Sequence, residues 1–274
     1  MSLKIALLAK DMHNSVLPEA YSYFGKELGL KVDFHICNVD MNQFDEAVGT
    51  MRNELDGFTV TMPYKVKIMS YCDELDESAV KCGSANTIRV QDRKLIGYNT
   101  DGWGMMKFLD LQGVGFKDSK VTMVGAGGVA RSIAYNLSIS GVKSVDVLNI
   151  FEDETRTLVD EMGELFTGYE LNDENLFSTV KGADAFINAS VLGQIGYPDY
   201  KKLQFLNGLN KDGFVFDVNY SNPQAKLPAA AKKKHIRFFT GKAMSFCQGI
   251  RAMEIWTGSR PSDEAAARFI ETMI

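Results

Sequence analysis

Cysteine and histidine are scarce, with four Cys and three His in 274 residues. Cys37, Cys72, Cys82 and Cys247 contain no C-x-x-C pair, and His13, His35 and His235 are dispersed. This pattern speaks against a disulfide framework or a zinc site and predicts reduced thiols and no metal. No apolar run approaches the roughly 20 residues of a membrane span. The N-terminal "MSLKIALLAKDM" lacks a signal-peptide cleavage pattern, so the expected location is cytoplasmic. The net charge is -5, and basic residues cluster only in "KKKHIR", Lys232 to Arg237, so neither nucleic acid nor a membrane is an expected partner. Internal repeats and low-complexity segments are also lacking.

What the chain does have is a hydrophobic content of 45%. At this length that predicts two domains, and hence a cleft. "KIALLA", "KVDFHICNV" and "FTVT" read as strands, with a helix "VLPEAYSYFGKELGL" closed by Gly29 between the first two. "TIRV" and "KLIGYN" flank the turn-like Gln91-Asp92-Arg93 and predict a hairpin. A helix from about Trp103 to Leu111 precedes the Gly- and Asp-rich loop "QGVGFKDSK", a candidate domain boundary. Beyond it, "KVTMVGAGGVARSIAYNLSISGVKSVDVLNI" alternates strand, glycine turn, helix and strand. "DAFINAS" and "GFVFDVNY" add further strands, and the β-α-β order implies a parallel sheet of Rossmann type. The tail reads as two helices.

The stretch "GFTVTMPYK" carries the first chemical signal. Phe58, Val60 and Met62 make one apolar face, while Thr59 and Thr61 point the other way. Pro63 cannot donate to a sheet, so it ends the strand and presents the next residues at the edge of the fold. Among them is Lys65, which by itself reads as an ordinary surface lysine opening a helix "KVKIMSYCDEL".

The second signal is Gly125, Gly127 and Ala130, a G-x-G-x-x-A pattern between a strand and a helix. Glycines there allow a sharp turn and close backbone approach to a pyrophosphate, which the helix N-terminus favours. The following strand runs into Asn149, Ile150, Phe151, Glu152, Asp153 and Glu154. Acids at this point suit ribose hydroxyls and oppose a 2′-phosphate, so the expected cofactor is NAD in preference to NADP.

These motifs occur in an order that resembles the shikimate/quinate dehydrogenase family across nearly the whole chain. "VTMPYK" matches the family's V-T-V-P-F-K, "GSANTI" its G-A-V-N-T, and "NTDG" is unchanged. "GAGGVAR", "INAS", "FDVNY" and "MSFCQG" match its glycine turn, I-N-A-T, D-x-x-Y and M-L-x-x-Q. The resemblance implies a substrate domain of residues 1–101 and 242–274, hinged to a Rossmann domain of residues 102–241. It implies reversible hydride transfer between a nicotinamide and a ring carbonyl of a shikimate-like or quinate-like carboxylate. Lys65 and Asp101 would be the catalytic pair, with Ser15, Thr61, Asn86, Tyr220 and Gln248 binding substrate. Dinucleotide contacts would come from Gly125, Ala126, Gly127, Gly128, Val129, Ala130, Asn149, Glu152, Asn188, Ala189, Gly241 and Met244. The expected partner is a small-molecule substrate, with the chain a monomer or homodimer.

The chain departs from the family pattern on the substrate side. Leu17 replaces the second serine of S-x-S-P, a motif that in the family binds the substrate carboxylate. Thr59 stands where asparagine is expected, and Tyr21 replaces a histidine or asparagine. Loss of one hydrogen bond to a carboxylate predicts roughly ten- to a hundredfold weaker binding of such a ligand. Two other readings therefore stay open, a paralogue acting on a different cyclic alcohol and a nucleotide-binding regulator without turnover.

Overall fold

The computed structural model describes residues 2–12 and 15–273, so His13 lies outside the described residues. By its internal contacts the chain divides into two compact units, one of residues 1–111 with 245–274 and one of residues 112–244. The division falls at the Gly- and Asp-rich loop, so the helix before it stays with the first unit and not, as a 101/102 boundary would have it, with the second.

The first unit contains β1 (Ser2–Ala9), α1 (Leu17–Glu27), β2 (Lys31–Asn38), α2 (Phe44–Glu54), β3 (Gly57–Val60), β4 (Glu74–Leu75), α3 (Glu77–Cys82), β5 (Thr87–Gln91), β6 (Lys94–Tyr98) and α4 (Asp101–Leu111). Among the described residues its strands form one sheet in the order β2-β1-β3-β5-β6-β4. β1 pairs parallel with β2 and β3, whereas β5 runs antiparallel to β3 and β6. The β5–β6 hairpin turns at Asp92 and Arg93, both at positive φ (51° and 61°), which matches the twist of the flanking strands. Where the sequence suggests a helix after Lys65, the structure has a short 3-10 turn, Lys67–Tyr71, and then β4.

β3 is a central strand, buried along its length. Gly57 at its start is required by packing, because a Cβ there would lie 2.2 Å from the Trp256 ring nitrogen. That nitrogen donates instead to the Ile88 carbonyl at 2.9 Å. Ala6, Leu8, Phe44, Val60, Tyr64, Ile68 and Ile88 belong to the apolar cluster beneath the sheet.

The second unit alternates strand and helix: β7 (Lys120–Val124), α5 (Gly128–Ser138), β8 (Ser144–Asn149), α6 (Glu152–Met162), β9 (Phe166–Glu170), α7 (Asp173–Val180), β10 (Ala185–Asn188), β11 (Phe214–Asp217), α8 (Lys226–Lys233) and β12 (Arg237–Thr240). Its sheet is parallel throughout, in the order β12-β11-β10-β7-β8-β9. Strand order reverses beside β7, the switch point at which open α/β sheets bind ligands beyond their carboxyl ends. Helices α9 (Gly241–Thr257) and α10 (Asp263–Met273) complete the chain. Among the described residues no helix is long and apolar enough to cross a membrane.

Candidate active site

β3 ends at Val60, and a tight turn comes next in which the Tyr64 amide donates to the Thr61 carbonyl at 2.9 Å. Tyr64 anchors this turn. Its ring is fully buried, lies 4.9 Å from that of Phe44, and its hydroxyl donates to the Val39 carbonyl. The Lys65 carbonyl accepts from the Ala85 amide at 2.9 Å, so the backbone on both sides of the lysine is fixed.

Lys65 Nζ donates to Asp101 Oδ2 at 2.7 Å. The Asp101 side chain is 2% exposed and that of Lys65 17%. Asp101 is the first residue of α4, where the positive end of the helix suits a carboxylate. Its second oxygen, Oδ1, accepts from Asn86 Nδ2 at 2.8 Å. The Asn86 oxygen in turn accepts from the Thr100 amide at 2.8 Å and from the Thr100 and Thr87 hydroxyls, each at 3.1 Å. Asn99 extends the network, accepting from the Asp101 amide at 3.1 Å and donating to the Ser84 carbonyl at 2.9 Å. The pair is thus held by a buried polar lattice in which each group has a partner. Such an arrangement can present an ammonium to a substrate oxygen, where it stabilises developing negative charge and supplies a proton.

Of the other residues expected on the substrate side, Thr61 and Gln248 are half-buried. The Ser15 hydroxyl accepts from the Leu17 amide at 3.2 Å, as one turn before α1. Tyr220 lies beyond β11 in the second unit and is 49% exposed, so it presents its ring instead of packing. Two of the departures from the family pattern touch each other. Burial pushes the Tyr21 phenol up, with Thr59 beside it opposing the rise, and the Thr59 hydroxyl donates to the Ala6 carbonyl at 3.4 Å. Tyr21 also packs against the rings of Phe34 and Trp256, at 5.5 and 5.3 Å.

In the second unit the glycine turn Gly125–Ala126–Gly127 links β7 to α5. Gly125 has φ +113°, and a Cβ there would stand 2.6 Å from the Ala189 carbonyl oxygen, so glycine is required. A Cβ at Gly127 would meet nothing within 4 Å, so its absence leaves the approach to the helix open. Gly127 is the N-cap of α5 and supplies no side-chain hydrogen bond, so no capping side chain occupies the first-turn amides at Gly128, Val129 and Ala130. Ala130 is fully buried beneath them. This cradle fits a pyrophosphate group. At Gly241 an added Cβ would lie 2.0 Å from the Val218 carbonyl oxygen, and Met244 is buried nearby in the same helix.

The resemblance assigns Asn188 a dinucleotide contact, yet its side chain is spent within the protein. Both amide hydrogens are used, one on Asp217 Oδ1 and one on the Leu192 carbonyl, each at 2.9 Å. Its oxygen accepts from the Ser190 and Tyr200 hydroxyls at 2.7 and 3.1 Å. The supporting threonines of the first unit and Asp217 of the second are not singled out by sequence reading. Their signal is present in "ANT", "NTD" and "FDVNY", which read as landmarks without roles.

Residues 7–88 match the family model for the shikimate dehydrogenase substrate binding domain. A shikimate dehydrogenase (NADP(+)) of Alkaliphilus metalliredigens is 31% identical, over 97% of this chain and 95% of that protein. The structure resembles the shikimate 5-dehydrogenase of Listeria monocytogenes solved with shikimate and NAD, with a TM-score of 0.87, 26% identity and coverage of 98% of this chain and 96% of that one. It also resembles the ligand-free 5-ketofructose reductase of a Gluconobacter species, with a TM-score of 0.82, 25% identity and coverage of 100% and 99%.

The expectation of NAD in preference to NADP is corrected by these findings, because the curated relatives are named as NADP(+) enzymes. The acids after β8 are a poor guide because two of them are already engaged. Glu154 accepts from Asn149 at 3.0 Å, and Asp153 accepts from Arg156 at 2.6 Å, which places a guanidinium in the same turn. With near-complete coverage at this identity and a fold to match, the chain belongs to the shikimate dehydrogenase family.

Proposed function

We propose that the protein catalyses reversible hydride transfer between NADP(H) and the ring hydroxyl or ketone of shikimate and 3-dehydroshikimate. The observation that carries this reading is the Lys65–Asp101–Asn86 lattice, a buried carboxylate that shares its two oxygens between an ammonium and an amide. The dinucleotide supplies or accepts the hydride. Lys65 donates a proton to the substrate oxygen as the ketone is reduced and takes it back in the reverse direction. Asp101 holds the ammonium in place and orients a neighbouring ring hydroxyl, and Asn86 fixes the carboxylate. Within the first unit, Ser15, Thr61 and Gln248 bind the remaining substrate groups. The Gln248 amide hydrogen-bonds nothing among the described residues and is available for a ligand.

In the second unit the amides of Gly128, Val129 and Ala130 hold the pyrophosphate, with Gly125, Ala126 and Gly127 shaping the approach. Asn149 and Glu152 lie at the ribose end, while Ala189, Gly241 and Met244 bound the other. The coenzyme assignment rests on the names of the curated relatives.

The test is the rate of nicotinamide absorbance change when the protein and NADP(+) are offered shikimate, quinate and polyols that lack a carboxylate. Saturable turnover of shikimate supports the proposal. Turnover of a polyol alone would assign the lattice to a different ring or chain. Dinucleotide binding without turnover of any substrate would point to a regulator.

A further inference from the structure

Asp217, the last residue of β11, is 1% exposed and takes no part in the chemistry described above. It is the hub of a polar cluster contained within the second unit. Its Oδ1 accepts from Asn188 Nδ2 at 2.9 Å and from the Asn219 backbone amide at 3.0 Å. Both asparagines then reach the segment that leaves β10. Asn188 donates to the Leu192 carbonyl at 2.9 Å, and Asn219 Nδ2 donates to the Ser190 and Leu192 carbonyls at 2.9 and 3.1 Å. The Ser190 hydroxyl closes the circuit by donating to Asn188 Oδ1 while accepting from the Leu192 amide at 3.2 Å.

The segment so fixed forms one wall of the glycine turn. The Ala189–Ser190 peptide is what a Cβ on Gly125 would strike, at 2.6 Å from the carbonyl oxygen and 3.1 Å from the amide nitrogen. A displacement of that peptide therefore changes the space beside the cradle. Keeping a carboxyl group buried is costly unless its hydrogen bonds are needed. Burial pushes the Asp217 carboxyl up to about 7, with Asp199 raising it further and the two asparagines opposing. Tyr200 and Asp199 are the titratable groups that face it. A group half neutral near pH 7 serves as an acceptor for two donors more than as a charge.

We propose that Asp217 is a positioning residue for the dinucleotide: by accepting from Asn188 and Asn219 it holds the Ala189–Leu192 segment against Gly125 and so sets the affinity of the cradle without touching the ligand. The proposal rests on reading the glycine turn as the dinucleotide site.

The test is fluorescence titration with NADPH of the wild type, Asp217→Asn and Asp217→Ala, each at a temperature where circular dichroism shows it folded. Losing the acceptor orphans two buried donors, so Asp217→Ala should raise the Kd by about tenfold or more. Asp217→Asn, which keeps an oxygen in place, should stay within about threefold. Asn219→Ala, which keeps Asp217 but removes the side-chain donor to the Ser190 and Leu192 carbonyls, should weaken binding in the same direction and decides the matter if Asp217→Ala does not fold. An unchanged Kd in the folded alanine variants, with only a lowered Tm, would overturn the proposal by making the cluster purely structural. Equal weakening by Asp217→Asn and Asp217→Ala would overturn it by making charge the requirement. Failure of the wild type to bind NADPH would instead overturn the reading of the glycine turn, a result separable from the other two.

Discussion

The Asn86 side-chain nitrogen lies 2.8 Å from Asp101 Oδ1, and the bond is buried. Asn86→Ala removes the donor to Asp101 and the acceptor for the Thr100 amide together. Leaving such buried groups unpaired costs about 1–3 kcal/mol each before relaxation. The variant should unfold at lower temperature and also turn over shikimate more slowly, because Asp101 loses its fixed orientation. Thermal denaturation and steady-state kinetics measure the two effects. A lowered Tm with undiminished kcat would show that Asn86 supports the fold alone.

On the substrate side, Leu17 stands one residue before the family's proline, and its amide is already bonded to the Ser15 hydroxyl. Leu17→Ser adds a hydroxyl at the start of α1. The expected outcome is a KM for shikimate lower by about tenfold, the value of one hydrogen bond to a charged group, with kcat little changed. An unaltered KM would mean that the substrate carboxylate is held elsewhere.

Lys107 illustrates how charge secures the first unit away from the chemistry. It is 9% exposed, and its Nζ donates to Asp263 at 2.7 Å and to Asp110 at 3.0 Å, tying α4 to the start of α10. Both carboxylates are half-exposed or more and can return to water, so Lys107→Ala should cost about 1–3 kcal/mol, between the values for exposed and buried pairs. Urea denaturation measures this. Combining it with Asp263→Ala in a double-mutant cycle isolates the pair.

The raised Asp217 carboxyl makes stability depend on pH with a definite sign. An unfolded aspartate titrates near 3.8, whereas burial moves Asp217 up to about 7 in the native state. Between these values the native protein keeps a proton that the unfolded chain has lost, so stability falls as pH rises from about 4 to 7 and this contribution is flat above. Asp217→Asn should remove that part of the fall. Thermal scans of both proteins across this range compare the slopes, and parallel curves would contradict the assignment.

Much of this was legible because the chemistry is carried by short motifs whose local structure is forced. Pro63 ends a strand whatever surrounds it, and Gly125 tolerates a backbone that other residues avoid. The helix read after Lys65 failed because Asp73 pairs across to Leu95, its amide donating at 2.8 Å and its carboxylate accepting at 2.7 Å, which draws the chain to the sheet edge as β4. β9 carried little signal, since Phe166 is its one buried residue and an edge strand need not alternate. The support of Asn86 by Thr87 and Thr100 joins two motifs that no periodicity connects. Likewise, no sequence pattern shows that the Asn188 side chain makes four hydrogen bonds within the fold.

The most direct test of the central claim is to measure turnover and NADPH affinity of Lys65→Ala side by side. The account predicts that kcat for shikimate falls by about 10²–10⁴, the contribution of a positioned general acid, while the Kd for NADPH is unchanged. Turnover within a few-fold of wild type would contradict it and remove Lys65 from the chemistry.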